Sequence, residues 1–184
     1  MTFEKTSPGN TIPTLMLAFE KAKKLSTDIV LSTTSGASAV DAIKHAAAAN
    51  FEGRIIAVTH VWGMDTIGEN ELLDEHRKAL EAAGVTIVTA AHALSGTERA
   101  MSGKFGGVYP VEIMAHTLRM FCQGVKVCVE IATMALDAGA IKKLRPIVAI
   151  GGTGNGLDTA CVITPGYSAK IFETRVHEIL CKPY

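Results

Sequence analysis

Apolar and polar positions follow two periods along the chain. Leu15, Ala18, Phe19, Ala22 and Leu25 recur at helical spacing, which predicts an amphipathic helix capped by Asn10 or Thr11 after a turn over residues 7–10. Lys21, Lys23 and Lys24 gather where the helix dipole favours cations. Residues 2–6 suggest a brief strand before it, and residues 28–32 a confident apolar strand after it. Ala39, Val40, Ile43, Ala46 and Ala47 then repeat as a second helix, closed by Gly53. The continuous run RIIAVT, residues 54–59, suits a strand covered by helices on both faces. A loop over residues 60–68 leads into a helix over 69–83, acidic at its start, stopped by Gly84 and followed by a strand over 85–89. Three strand–helix steps in succession predict a parallel sheet with right-handed crossovers, and ligands then sit beyond the carboxyl ends of its strands.

The pattern loosens over residues 90–107, where Ser95 and Glu98 have capping-box spacing and a short helix within a long loop is expected. Pro110 opens another helix with Ile113, Thr117, Leu118 and Phe121 on one stripe, interrupted at Gln123 and Gly124. Residues 125–139 alternate like a strand at first, yet their helical face extends over about 15 residues, longer than strands usually run, and a helix is expected. Strands follow over 146–150 and 159–164, with the Asn155-Gly156 pair between them signalling a hairpin, and a last strand over 175–181. The expected fold class is α/β: a three-layer, mostly parallel central sheet with helices on both faces and an antiparallel hairpin at the C-terminal end, in one domain over residues 1–184.

Composition narrows the partners. Lys plus Arg and Asp plus Glu both number 18 in 184 residues, a balance with no electrostatic footprint for nucleic acid or an acidic membrane surface. Small molecules are the expected partners. No uncharged run reaches the roughly 18 residues of a membrane span. Cys122, Cys128, Cys161 and Cys181 lack C-x-x-C spacing and read as apolar filler in a reduced, cytoplasmic setting.

The richest chemistry lies in DIVLSTTSGASAVD, residues 28–41: a strand feeding a hydroxyl-rich loop and then a helix start. Such a loop aims free backbone N–H groups and a helix N-terminus at one point, which predicts a phosphate cradle on Thr33, Thr34, Ser35, Gly36, Ala37 and Ser38. Thr33, Ser35, Gly36 and Ser38 spell T-x-S-G-x-S, which looks like the FMN-phosphate loop T-x-T-G-x-T of flavodoxins. Gly36 is expected to let the turn approach the phosphate, so that Gly36→Val should block binding at modest cost in stability. Thr59, His60 and Trp62 lie at the same sheet edge, where the tryptophan ring could stack on a flat ligand. His92 and Ser95 follow the next strand, and Gly151, Gly152, Thr153 and Gly154 the one after, where glycines let a ligand approach the backbone or simply make a turn. No metal-ligand spacing is present. Arg99 and Lys104 offer positive charge on a loop near the site, and Glu130 is expected at a surface or interface position.

Nearly the whole chain, its second half most specifically, resembles the pyruvate kinase C-terminal-domain-like proteins. The resemblance rests on P-G-x-x-x-x-T near Pro8 and Gly9, the hydroxyl-glycine loop through Ser38, His92 with LSGTER, the runs GVKVCVEIATMALDAGAI and VAIGGTGNGLDTACVI, and the EILCKP tail. It implies a mostly parallel sheet with helices on both sides and capture of a phosphate by the Ser/Thr/Gly loop. For stand-alone members it implies FMN as cofactor with no reaction attached; the loops at the sheet edge then place the expected ring system near residues 59–62, 92–96 and 151–154. The resemblance does not extend to the barrel that performs phosphoryl transfer, so it implies no kinase activity. Two readings follow: an FMN-binding protein of undetermined reaction, with flavin-dependent oxidoreductase activity as a further step, or a non-catalytic regulatory module that senses a sugar phosphate or nucleotide and acts through homo-oligomer contacts.

Overall fold

The computed structural model describes residues 1–184. Its strands are β1 (Thr2–Phe3), β2 (Ile29–Ser32), β3 (Ile55–Thr59), β4 (Thr86–Thr89), β5 (Ile147–Gly151), β6 (Thr159–Thr164) and β7 (Arg175–Pro183). The helices are α1 (Thr11–Leu25), α2 (Ala37–Ala48), α3 (Asp74–Ala82), α4 (Gly96–Phe105), α5 (Pro110–Arg119) and α6 (Gln123–Asp137). One sheet contains all the strands, in the order β1-β7-β6-β5-β2-β3-β4. Strands β5, β2, β3 and β4 run parallel, β6 is antiparallel to both β5 and β7, and β1 pairs in parallel with β7.

The apolar runs earn their place by feeding two cores. Ile29 and Leu31 of β2 face α1, α2 and α3, where they meet Leu15, Phe19, Ala42 and Leu80. Val30, between them, points to the other face with Ile56, Val58 and Ala149, under α5 and α6. The period of two along a strand thus supplies both faces at once, which is why these segments read as unbroken apolar runs. The chain passes from β2 outward to β3 and β4, then returns through α4, α5 and α6 to place β5 on the opposite side of β2. That reversal opens a crevice at the carboxyl ends of β2 and β5, the position where open α/β sheets bind ligands.

Several boundaries differ from the sequence expectations. The helix expected over 69–83 starts only at Asp74. Residues before it are tied down instead: Asn70 donates from Nδ2 to the His60 carbonyl and accepts from the Leu72 amide, while the Leu73 amide donates to the Ser35 carbonyl. Strand β5 and strand β6 pair antiparallel, but through a longer loop at residues 152–158 rather than a tight Asn-Gly turn. The helix α4 occupies ten residues of the segment expected to be mostly loop. Its capping box does not form: the Ser95 side chain caps nothing, and Glu98 accepts from the Glu112 amide at 3.0 Å. No helix is long and apolar enough to cross a membrane.

Candidate functional site

Strand β2 delivers the hydroxyl-rich loop to the crevice. The Thr33 amide extends the sheet ladder by donating to the Val58 carbonyl, and the Thr33 hydroxyl accepts from the Gly36 amide at 3.1 Å. The turn this makes aims the following backbone outward. The amides of Thr34, Ser35, Ser38 and Ala39 find no acceptor within the protein, and they surround the first turn of α2. Unengaged N–H groups at a helix N-terminus form an anion site, since the dipole and the hydrogen bonds act in the same direction.

Gly36 has a different task from the one expected. Its φ of +98° favours glycine, and a Cβ there would lie 2.5 Å from His76 Cβ and 2.7 Å from Leu72 Cδ1. The missing side chain lets α3 close over the loop from behind, where His76 Nδ1 donates to the Ser35 carbonyl at 2.8 Å. Gly36 is buried and absent from the cleft wall, so its substitution disturbs packing before it disturbs a ligand.

The cleft in front of the loop encloses about 630 Å³. First-turn residues of α1, α2, α4 and α6 all reach its walls through Thr11, Ile12, Ala37, Ser38, Arg99, Gln123 and Lys126. Convergent helix N-termini, with Arg99, Arg119 and Lys126 against Asp41 and Glu130, favour an anion in the cleft although the molecule as a whole is neutral. Thr59 ends β3 at the floor, its hydroxyl 2.7 Å from that of Thr89. His60 Nδ1 bonds Glu71 at 2.6 Å, and its ring lies 5.3 Å from that of His92. Burial holds the His92 imidazole below its ordinary pKa, aided by the positive charges of His60, Lys126 and Arg99 against the opposing pull of Glu130. The neutral ring suits its role as acceptor from the Val61 amide.

Of the residues expected at the site, Thr33, Thr34, Ser35, Ala37, Ser38, Thr59, His60, His92, Ser95, Gly152 and Gly154 line this one cleft. Gly36, Trp62, Gly151 and Thr153 do not. Trp62 is 58% exposed and lies outside the lining, whereas Met64 of the same loop reaches it. Gly151 lies inside β5, where a Cβ would meet the Gly124 carbonyl at 2.8 Å, and its bareness serves the seating of α6. Arg99 reaches the cleft, whereas Lys104 lies over the Phe105 ring instead.

The sequence reading missed the most unusual part of the wall. Lys126 and Glu130, one turn apart on α6, form an ion pair with only 5% and 6% of their surfaces exposed. Glu130 is therefore no surface residue. Its Oε1 also accepts from the Leu94 amide at 2.9 Å, tying α6 to the loop after β4. The signal was present as a Lys and a Glu four apart in an otherwise apolar helix, a spacing that puts both on one face. Asp41, Arg119 and Asn155 complete the polar lining.

The family model for the pyruvate kinase alpha/beta domain matches residues 13–163. Among solved structures, the crystal structure of O-ureido-L-serine synthase is 19% identical, with 71% of this chain and 49% of that chain covered and a TM-score of 0.31. The chain thus spans about half the length of that protein, and a likeness at this level carries no argument about fold or function. The family match rests on firmer ground, because it takes in every strand from β2 to β5, nearly all of β6, and the whole hydroxyl-rich loop. The chain belongs to the pyruvate kinase alpha/beta domain family.

Proposed function

We propose that this protein binds a small phosphorylated molecule in the cleft, with the phosphate on residues 33–38, and that FMN is the ligand. The observation that carries the reading is the set of unengaged amides at Thr34, Ser35, Ser38 and Ala39, gathered at the N-terminus of α2 and at the switch point of the sheet. A phosphate dianion there would gain roughly 1.5–3 kcal/mol from each charge-assisted bond, plus up to about 2 kcal/mol from the helix dipole. The residues present fit FMN at both ends: the loop suits its phosphate, while Ile12, Met64, Val127, Ile131 and Met134 supply apolar surface for a ring system. Bound FMN would supply one- and two-electron transfer. The chain's own contribution would be to hold the phosphate, to shelter the ring between α6 and the loop after β3, and to present the neutral His92 imidazole and the paired His60 at the cleft.

A second reading is favoured by one observation. No Phe, Tyr or Trp lines the cleft, and Arg99, Arg119, Asp41 and Gln123 make much of it polar, as a sugar phosphate or nucleotide sensed without catalysis would require. Thermal shifts separate the two. FMN is expected to raise the melting temperature, and riboflavin, lacking the phosphate, to bind at least tenfold more weakly. Equal affinity for riboflavin and FMN would remove the cradle from the site. A shift with a hexose bisphosphate or a nucleotide but none with FMN would establish the sensor reading.

A further inference from the structure

The buried ion pair on α6 asks for an explanation that stability does not provide. Taking an ammonium and a carboxylate out of water costs several kcal/mol for each ion, and apolar residues of similar volume often serve the fold as well or better. Lys126 and Glu130 nevertheless stand in a helix whose buried neighbours include Val125, Cys128, Val129 and Ala132. Glu130 is fully employed, with one oxygen on the Lys126 ammonium and the other on the Leu94 amide. Lys126 is not. An ammonium carries three donors, and the only acceptor the protein offers it is Glu130. Two N–H groups on a side chain only 7% exposed are left without a protein acceptor, and Lys126 is part of the cleft lining.

The two walls lie on opposite faces of the sheet. The phosphate loop leads into α2, whose Ala39 and Ala42 pack in the core beneath α1 and α3. Helix α6 belongs to the other core, with Val30, Ile56 and Val58. A molecule that fills the cleft therefore spans the edge of the sheet, and the part that meets Lys126 differs from the part held by the α2 amides.

We infer that Lys126 is the second anchoring point of this site, donating to an oxygen acceptor such as a carbonyl or carboxylate on the non-phosphate end of the ligand, with Glu130 fixing the ammonium in place. The inference rests on the phosphate-ligand reading above and sharpens it: the ligand class becomes a phosphomonoester that also carries an acceptor oxygen at its far end. The pyrimidine carbonyls of a flavin have that chemistry, while a simple alkyl phosphate does not.

The test replaces the pair as a unit, because removing Lys126 alone would strand a buried carboxylate. Binding of FMN, riboflavin and inorganic phosphate to the wild-type chain and to Lys126→Met/Glu130→Gln, whose side-chain oxygen still accepts from the Leu94 amide, is measured by calorimetry, with melting temperatures recorded for both. The double variant, with the Leu94 amide still partnered, is expected to keep a melting temperature close to the wild type's and to lose about 10- to 100-fold in affinity for FMN and for riboflavin alike, with inorganic phosphate unchanged. The single variant Lys126→Gln, which keeps a donor and a similar length, is expected to fall between the two. Unchanged FMN and riboflavin affinity in the double variant would overturn the inference and leave the phosphate reading standing. A loss confined to inorganic phosphate and FMN, with riboflavin unaffected, would make Lys126 one more phosphate contact and overturn the two-point assignment. Failure of the wild-type protein to bind either FMN or phosphate would instead bring down the underlying reading, and this inference with it.

Discussion

At the scale of single residues, two positions show how local chemistry is tied to the fold. Gly36 combines a left-handed backbone with contact distances that leave no space for a methyl group beside His76 and Leu72. Gly36→Ala is expected to lose about 2–4 kcal/mol, from the left-handed penalty and from overpacking together. Urea unfolding should show a lower midpoint with an unchanged slope; a wild-type midpoint would mean that α3 yields freely. Asp28 is the second case. Burial pushes its carboxyl up, but the Arg54 side chain and amide, with Arg145, more than offset this and hold it below the usual carboxylate range. Because the folded pKa lies below the unfolded value of about 3.9, the contribution is fully present above about pH 4 and fades as pH falls through the folded value. Asp28→Asn should therefore cost about 1–3 kcal/mol at pH 7, and its unfolding curve should begin to converge on the wild type's only as the pH drops below about 4, meeting it once the folded Asp28 is itself protonated. A gap that persists undiminished at pH 2 would assign the effect to something other than the charge.

At the scale of elements, α6 decides the shape of the cleft, and a glycine contact seats it. A Cβ on Gly124 would stand 2.1 Å from Thr159 Oγ1, and one on Gly151 would stand 2.8 Å from the Gly124 carbonyl, so the first turn of α6 lies directly on β5 and β6. Gly124→Ala is expected to lift that turn, lowering stability by about 1–3 kcal/mol and weakening phosphate and FMN binding together, as Gln123 and Lys126 move with the helix. Calorimetry on the folded variant checks the second part; intact affinity would show that the turn's position does not matter to the ligand. This helix also marks the limit of what could be read from sequence. Its existence was legible because an apolar face persisted for four turns, and the strand–helix alternation gave the sheet and the edge on which the loops gather. Which face of α6 borders a cleft was not legible, because periodicity reports burial without saying whether the neighbour is protein or an open pocket. Glu130 therefore looked like a surface acid, and Lys126 passed unremarked. Which residue of the loop after β3 reaches the cleft, Met64 rather than Trp62, was not legible for a related reason: the path of a loop depends on what anchors it, here Asn70 and Glu71 on His60, and no periodic signal encodes that.

At the scale of the whole molecule, the site depends on chain that lies outside the family match. Residues 13–163 contain the phosphate loop and α6, but the cleft is closed on one side by Pro8, Thr11 and Ile12. The Thr11 hydroxyl accepts from the buried Leu157 amide at 3.0 Å and so holds the glycine loop that follows β5. Gly156 fits against it with a φ of +85°, where a Cβ would be 2.6 Å from Thr11 Oγ1 and 3.1 Å from Pro8 Cα. The N-terminal turn and the loop of residues 152–156 are thus one wall, built from two segments far apart in sequence. Thr11→Val keeps the side-chain volume and removes the acceptor, leaving the Leu157 amide buried without a partner at a cost of about 1–3 kcal/mol. The expected result is a lower melting temperature, faster hydrogen exchange at the Leu157 amide and over residues 152–156, and weaker FMN binding, all restored by Thr11→Ser. If exchange quickens while FMN binds as before, the wall bounds the cleft without touching the ligand, and the binding energy must come from the α2 loop and α6 alone.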